Sequence, residues 1–134
     1  MTVPFLNPGA QTPALRDELL AAVTGVLDRG HFILGPGVAA LEQEVAAFAG
    51  AAHGVGVNSG SDALTLALRV LDVGPGDEVI TTPFTYIAPA ESIHQVGAKI
   101  VFADIDPRTF LIDAADVARQ IGRASCRERV YVLV

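Results

Sequence analysis

The stretch Gly54 to Leu71, GVGVNSGSDALTLALRVL, holds the residues whose types and spacing could do chemistry. Asn58-Ser59-Gly60-Ser61 is a tight polar turn between a short apolar run, Val55 and Val57, and a helical pattern. The run predicts a strand. Leu64, Ala67, Leu68 and Leu71 recur at helical spacing and predict a helix with one apolar face. A glycine turn feeding a helix N-terminus suits an anion. The first backbone N–H groups of a helix lack partners, and the macrodipole places partial positive charge there. Gly60 would let a phosphate approach the backbone, and Ser59 and Ser61 offer hydroxyl donors. The same residues also fit a plain strand-to-helix connection whose serines cap the helix. Both readings are open at this point.

Other chemistries fit less well. A dinucleotide fingerprint beginning at Gly54-x-Gly56 needs a third glycine, and the position holds Ser59. It also needs an acid closing the next strand, whereas Asp77 and Glu78 precede that strand and Thr81-Thr82 end it. A P-loop needs Gly-Lys-Ser/Thr, which the chain lacks. His53 and His94 stand alone and read as surface or turn residues. Asp104 and Asp106 could suggest a divalent ion, but an acidic turn before Pro107 at a strand end reads as a turn. Lys99, the only lysine, begins a strand and reads as a surface charge.

The elements that would position the turn follow from periodicity and punctuation. VPFLNPGAQ has two prolines and reads as an extended arm. Thr12-Pro13 starts a helix, with a capping hydroxyl before proline at the first helical position. Its stripe is Leu15, Leu19, Leu20, Val23, Val26 and Leu27, and Gly30 stops it. After the loop HFILGPG, a helix from about Val38 to Ala49 stops at Gly50. Beyond the organising stretch come a turn at residues 72–77, a strand Glu78 to Thr82, a short helix ending at Gly97, a strand Lys99 to Ala103, and a helix through Ile121 capped by Asp113. Strands alternating with helices predict an α/β fold with parallel strands and right-handed crossovers.

Composition bounds the rest. At 134 residues there is room for one domain, and 51% apolar against 18% charged residues gives material for a core. The N-terminus has no basic start or long apolar run, so no signal peptide is expected. No apolar stretch approaches the roughly 20 residues of a membrane span. A single cysteine, Cys126, excludes an internal disulfide framework and a thiolate zinc site and suits a reducing cytoplasm. The net charge of −6 argues against nucleic acid as a bulk partner. That charge is uneven: residues 122–134 carry three arginines against one glutamate, a net +2, which leaves −8 on residues 1–121.

Four segments in order carry a family resemblance. They are Gly35-Pro36 before an amphipathic helix; Asn58-Ser-Gly-Ser-Asp-Ala-Leu64; Gly74-Pro-Gly-Asp-Glu-Val-Ile80; and Pro83-Phe-Thr-Tyr-Ile-Ala88 with Gly97-Ala-Lys-Ile-Val-Phe-Ala-Asp-Ile-Asp106. Together they resemble the DegT/DnrJ/StrS family of nucleotide-sugar aminotransferases, over about residues 3–121. The resemblance implies pyridoxal 5'-phosphate as cofactor. It implies an α/β fold that is the N-terminal part of the large domain of an aspartate-aminotransferase-type (PLP fold type I) structure. It further implies that Gly60, Ser61 and the backbone of Asp62 and Ala63 bind the cofactor phosphate, and that Tyr86 stacks on its pyridine ring. Serine at 61 replaces the commoner threonine and keeps the hydroxyl. Asp62 brings a negative charge near a phosphate, yet in the first helical turn it suits the dipole and can reach back to free N–H groups. Without its neighbouring motifs, Tyr86 would read as a half-buried core tyrosine. His31-Phe-Ile-Leu-Gly-Pro36 resembles a segment that reaches an active site shared by two subunits.

The family's Schiff-base lysine and its Asp-x-Ala-Gln segment are both absent from these residues, so no catalytic residue is assigned. By resemblance, the intact protein would be a cytoplasmic homodimer. It would move an amino group from an amino acid, typically glutamate, to a keto group on a nucleotide-linked sugar. A related dehydratase, or an inert or regulatory cofactor-binding fragment, are the rival readings. Domain organisation is expected to be an incomplete transferase large domain at 1–121 followed by an artefactual tail at 122–134. Gly-Arg-Ala-Ser-Cys-Arg-Glu-Arg-Val130 departs abruptly in composition and resembles a sequencing adapter read in frame.

Overall fold

The computed structural model describes residues 6–10, 12–121, 123 and 130–133. The capping position before Thr12, part of the N-terminal arm, and Cys126 with most of the tail lie outside the described residues. The chain divides into two compact units, residues 1–56 and 57–134.

The first unit is helical. A short 3-10 turn at Pro8–Ala10 precedes α1 (Thr12–Arg29), and α2 spans Pro36–Ala49. Thr12 is itself helical rather than a cap, and α2 begins at Pro36, about two residues before the expected start. Proline suits that first position because its missing N–H would have no partner there. Both glycine stops form as expected. Gly30 (φ +65°) donates to the Val26 and Leu27 carbonyls, and Gly50 (φ +67°) donates to the Ala47 carbonyl. The apolar stripe of α1 lies on the surface: none of its residues is buried, and Leu27 is 61% exposed. Among the described residues of α2 only Ala46 is buried.

The strand expected at Val55 and Val57 does not form. A strand exists through its ladder, and here the backbone is committed elsewhere. The Gly56 N–H donates to Glu42 Oε1 at 2.7 Å. Gly54 passes so close to α2 that a Cβ on it would sit 2.4 Å from the Glu42 carbonyl oxygen. The segment is held by α2 rather than by a neighbouring strand.

The second unit is an α/β layer. Its elements are α3 (Gly60–Val70), β1 (Glu78–Thr81), α4 (Ala88–Gln95), β2 (Lys99–Phe102), α5 (Ala114–Ile121) and β3 (Val130–Val132). The sheet has the order β2-β1-β3, and both pairings are parallel, as the alternation of strands and helices predicted. All four residues of β1 are buried, which a central strand covered on its faces requires. Leu68, Val73, Val79, Ile93 and Ala98 form the core, with Tyr131 and Leu133 packed against it. No element was expected at 130–132. The run Val-Tyr-Val is β-branched and aromatic, and it fills the free edge of β1 in register Glu78↔Val130.

The buried face of α3 is rotated from the expected one. Leu71 is 56% exposed and Ala67 is exposed, whereas Thr65 and Leu68 are buried. Polar pairing with α4, described below, outweighs apolar periodicity at this contact.

Ile93 is fully buried in the core. Ile93→Ala should therefore destabilise this unit by about 2–4 kcal/mol. His94→Ala, on the exposed side of the same helix, should change stability by less than about 0.5 kcal/mol. Urea titration of both variants measures the difference.

Candidate cofactor-binding site

Ser59 caps α3. Its Oγ accepts the Asp62 N–H at 3.1 Å and donates to the Asp62 carboxylate at 2.9 Å. The Ala63 N–H donates to the Ser59 carbonyl at 3.0 Å. The N–H groups of Gly60 and Ser61 have no acceptor among the described residues. The four residues expected to cradle a phosphate thus divide into two pairs. Gly60 and Ser61 offer unoccupied backbone donors, while the N–H groups of Asp62 and Ala63 are spent on the cap. Asp62 was expected to reach back to free N–H groups. Its carboxylate instead takes the Ser59 hydroxyl, which leaves the two leading N–H groups unobstructed by it. Space above Gly60 is open: a Cβ there would meet nothing within 4 Å.

Two hydrogen bonds fix α3 against α4. Ser92 Oγ donates to the Ser61 carbonyl at 3.3 Å. Thr65 Oγ1 lies 3.1 Å from the same carbonyl and 3.2 Å from Gln95 Oε1, and its single proton serves one acceptor at a time. Position 61 therefore faces 92, and 65 faces 95. Sequence number rises together on both helices, so α3 and α4 lie side by side and run in the same direction. Their N-termini share one end of the unit.

That end is the carboxyl end of the sheet. β1 leaves the sheet at Thr81 and enters α4 at Ala88, so residues 82–87 cross it. Tyr86 stands there, 78% exposed, two residues before α4. Ser92 lies four positions along α4 from Ala88, about 6 Å of helix. Open parallel sheets bind ligands at this end.

The crossing segment is tied down from both sides. Thr82 Oγ1 accepts the Phe84 N–H at 3.1 Å. The Phe84 ring stacks on Phe110, centroids 5.9 Å apart, joining the loop after β1 to the loop after β2. The second loop has its own frame. An isolated antiparallel bridge pairs Ile105 with Ile112. The Asp106 carboxylate accepts the N–H groups of Arg108 and Thr109. Asp116 accepts the Asp104 N–H at 2.7 Å, and Asp113 caps α5 by accepting the Ala115 N–H. The acids at 104 and 106 thus belong to a hydrogen-bonded turn.

Lys99 is exposed and pairs across the sheet with the buried Glu78 carboxylate. It opens β2, at the amino end of the strands, and three further strand residues, about 10 Å, separate it from the site end. His53 and His94 are exposed, as expected.

Residues 13–130 match the DegT/DnrJ/EryC1/StrS aminotransferase family, and the chain belongs to it. It is 49% identical over 119 residues to a UDP-N-acetyl-3-dehydro-alpha-D-glucosamine 3-aminotransferase of Acidithiobacillus ferrooxidans, covering 89% of this chain and 32% of that protein. Among solved structures, S. venezuelae DesV in complex with a ketimine intermediate superposes with a TM-score of 0.86 at 42% identity, over 96% of this chain and 34% of that one. Bacillus subtilis NtdA with bound cofactor PMP superposes with a TM-score of 0.87 at 27% identity, over 96% of this chain and 29% of that one. The chain spans about a third of the length of the curated relatives it matches. Its fold is the N-terminal part of a fold type I large domain, as the sequence motifs implied.

Hydrogen bonds from backbone N–H groups hold two carboxyls below their ordinary value of 3.8: Asp106 chiefly through Arg108, and Asp116 chiefly through Asp104. A lowered folded-state pKa adds stability above the unfolded value, and that stability is lost as pH falls through the folded value. The loop carrying Phe110 should therefore be insensitive to pH above about 4 and loosen below it. Amide exchange at Asp104 and Arg108 across this range measures the effect.

Proposed function

We propose that this chain is the cofactor-phosphate-binding part of a pyridoxal-phosphate aminotransferase acting on nucleotide-linked keto sugars, with an amino acid, glutamate, as donor. The observation that carries the reading is the pair of unoccupied N–H donors at Gly60 and Ser61, placed at the same end of the unit as Tyr86. The donor set fits a phosphate: two backbone N–H groups without acceptors among the described residues and a hydroxyl at position 61 stand at a helix N-terminus, with open space above Gly60. An exposed flat ring at Tyr86 fits a pyridine face. The sugar-aminotransferase names of the relatives support the substrate class.

Pyridoxal phosphate, when bound, supplies the electron sink that amino transfer needs. In this reading Gly60 and Ser61 hold its phosphate and Tyr86 covers its ring. The Asp62 carboxylate takes the Ser59 hydroxyl and so leaves the Gly60 and Ser61 N–H groups to the phosphate. Lys99 takes no part, since it is paired with Glu78 at the other end of the strands. The 134-residue chain alone is accordingly proposed to bind cofactor without transaminating. The full protein is proposed to be a cytoplasmic homodimer, with the His31–Pro36 loop serving a composite site. Residues 122–134 are proposed to be an artefactual tail; the family match to residue 130 and the pairing of Val130–Val132 with β1 stand against that reading. Genomic sequence that runs past codon 121 into Asp-x-Ala-Gln and a later lysine would support both points. Genomic sequence that encodes Gly122 to Val134 would overturn the second.

Titrating the chain with pyridoxal 5'-phosphate should shift the amides of Gly60 and Ser61 by NMR. Tyr86→Ala should weaken this binding about fivefold, the scale of a lost aromatic contact of about 1 kcal/mol. Unmoved amides at both residues at saturating cofactor would overturn the assignment.

A further inference from the structure

Ser92 sits in the middle of α4 and is 1% exposed. A buried helical serine ordinarily returns its hydroxyl to the carbonyl one turn back, here that of Ala88. Ser92 instead donates across the helix interface to the Ser61 carbonyl. That carbonyl belongs to one of the two residues whose N–H groups lack acceptors. The N-terminus of α4 is fed by the segment bearing Tyr86. One hydroxyl therefore joins the element that presents the phosphate donors to the element that presents the ring.

We propose that Ser92 is a positioning residue that sets the spacing between the phosphate donors on α3 and Tyr86 ahead of α4, through its hydrogen bond to the Ser61 carbonyl. The proposal rests on the cofactor reading above and goes beyond it by assigning a role to a residue that touches no ligand. Leu68 and Ile93 share the core and hold the two helices together, and Thr65 beside Leu68 on the buried face of α3 adds a polar contact whose geometry depends on their register. Hydrogen bonds are directional, and the Ser92 bond to the Ser61 carbonyl fixes one register; the Thr65 hydroxyl adds a second tie only when its proton faces Gln95 Oε1 rather than the Ser61 carbonyl. A ligand that spans both elements needs that register. A ligand that touches only the α3 terminus does not.

The last point gives the test. Binding of inorganic phosphate and of pyridoxal 5'-phosphate is followed at the Gly60 and Ser61 amides of the chain and of its Ser92→Ala variant. The Ser61 carbonyl keeps the Thr65 hydroxyl in the variant, so the helix end stays satisfied. Affinity for pyridoxal 5'-phosphate should fall about fivefold, the scale of one neutral hydrogen bond. Affinity for inorganic phosphate should change by less than about twofold. Glu91→Ala, on the exposed side of α4, should change neither. Equal weakening of both ligands, or no weakening of either, would overturn the role of Ser92 while leaving the site reading intact. Failure of the unsubstituted chain to bind either ligand would overturn the site reading and the proposal with it. If Ser92→Ala loses the dispersed amide signals of β1, Ser92→Cys, of similar shape but with a weaker donor, is read by the same criteria.

Discussion

The side-by-side, same-direction packing of α3 and α4 is the constraint on which the rest of the second unit depends. A helix N-terminus can hold an anion anywhere in a fold, but it becomes half of a cofactor site only when the other half stands beside it. Here the other half is a six-residue crossing from β1 to α4. Because α4 follows β1 directly, its N-terminus must lie at the carboxyl end of the sheet. Because α3 runs with α4, its N-terminus lies there too. The polar contacts of Ser61 and Thr65 with Ser92 and Gln95 choose that arrangement, and Leu68 and Ile93 supply the apolar packing beneath it.

The sheet separates two kinds of charge. At its amino end Glu78 and Lys99 neutralise one another across the β1–β2 pair, so the buried carboxylate of Glu78 is not left alone. At its carboxyl end the acids after β2 are occupied by backbone N–H groups, and they shape the loop that brings Phe110 to Phe84. The site itself holds the Gly60 and Ser61 donors, the Asp62 carboxylate bonded to the Ser59 hydroxyl, and an exposed aromatic ring. That division suits a ligand with a phosphate at one end and a flat ring at the other.

Much of this was legible in the sequence where a single residue type has a single local use. The stops at Gly30 and Gly50, the Asp113 cap, the parallel strands and the start of α3 follow from punctuation and alternation. No strand forms at Val55 and Val57 because apolar residues describe a strand's side chains and not its hydrogen-bond partners, and here the Gly56 N–H goes to the Glu42 side chain. The buried face of α3 departs from leucine spacing because Ser61 and Thr65, on the adjacent stripe, carry the contacts with α4. Ser92 escapes leucine spacing for the same reason. One signal was available: Ser92 and Gln95 are polar residues three apart on a short helix, and Ser61 and Thr65 are four apart on the one before it. The division of the phosphate cradle could not be read from spacing, because it depends on which N–H groups the Ser59 cap consumes.

The central proposal is that this chain holds the cofactor through hydrogen bonds and a ring contact, without a covalent bond to it. Borohydride reduction of the chain saturated with pyridoxal 5'-phosphate, followed by mass analysis of the peptides, tests it most directly. The account predicts cofactor that dialyses away and a Lys99 peptide of unchanged mass, because that amine is held by Glu78 at the opposite end of the strands. A reduced adduct on Lys99 that inorganic phosphate competes away would place the cofactor at the amino end of the sheet and contradict the account.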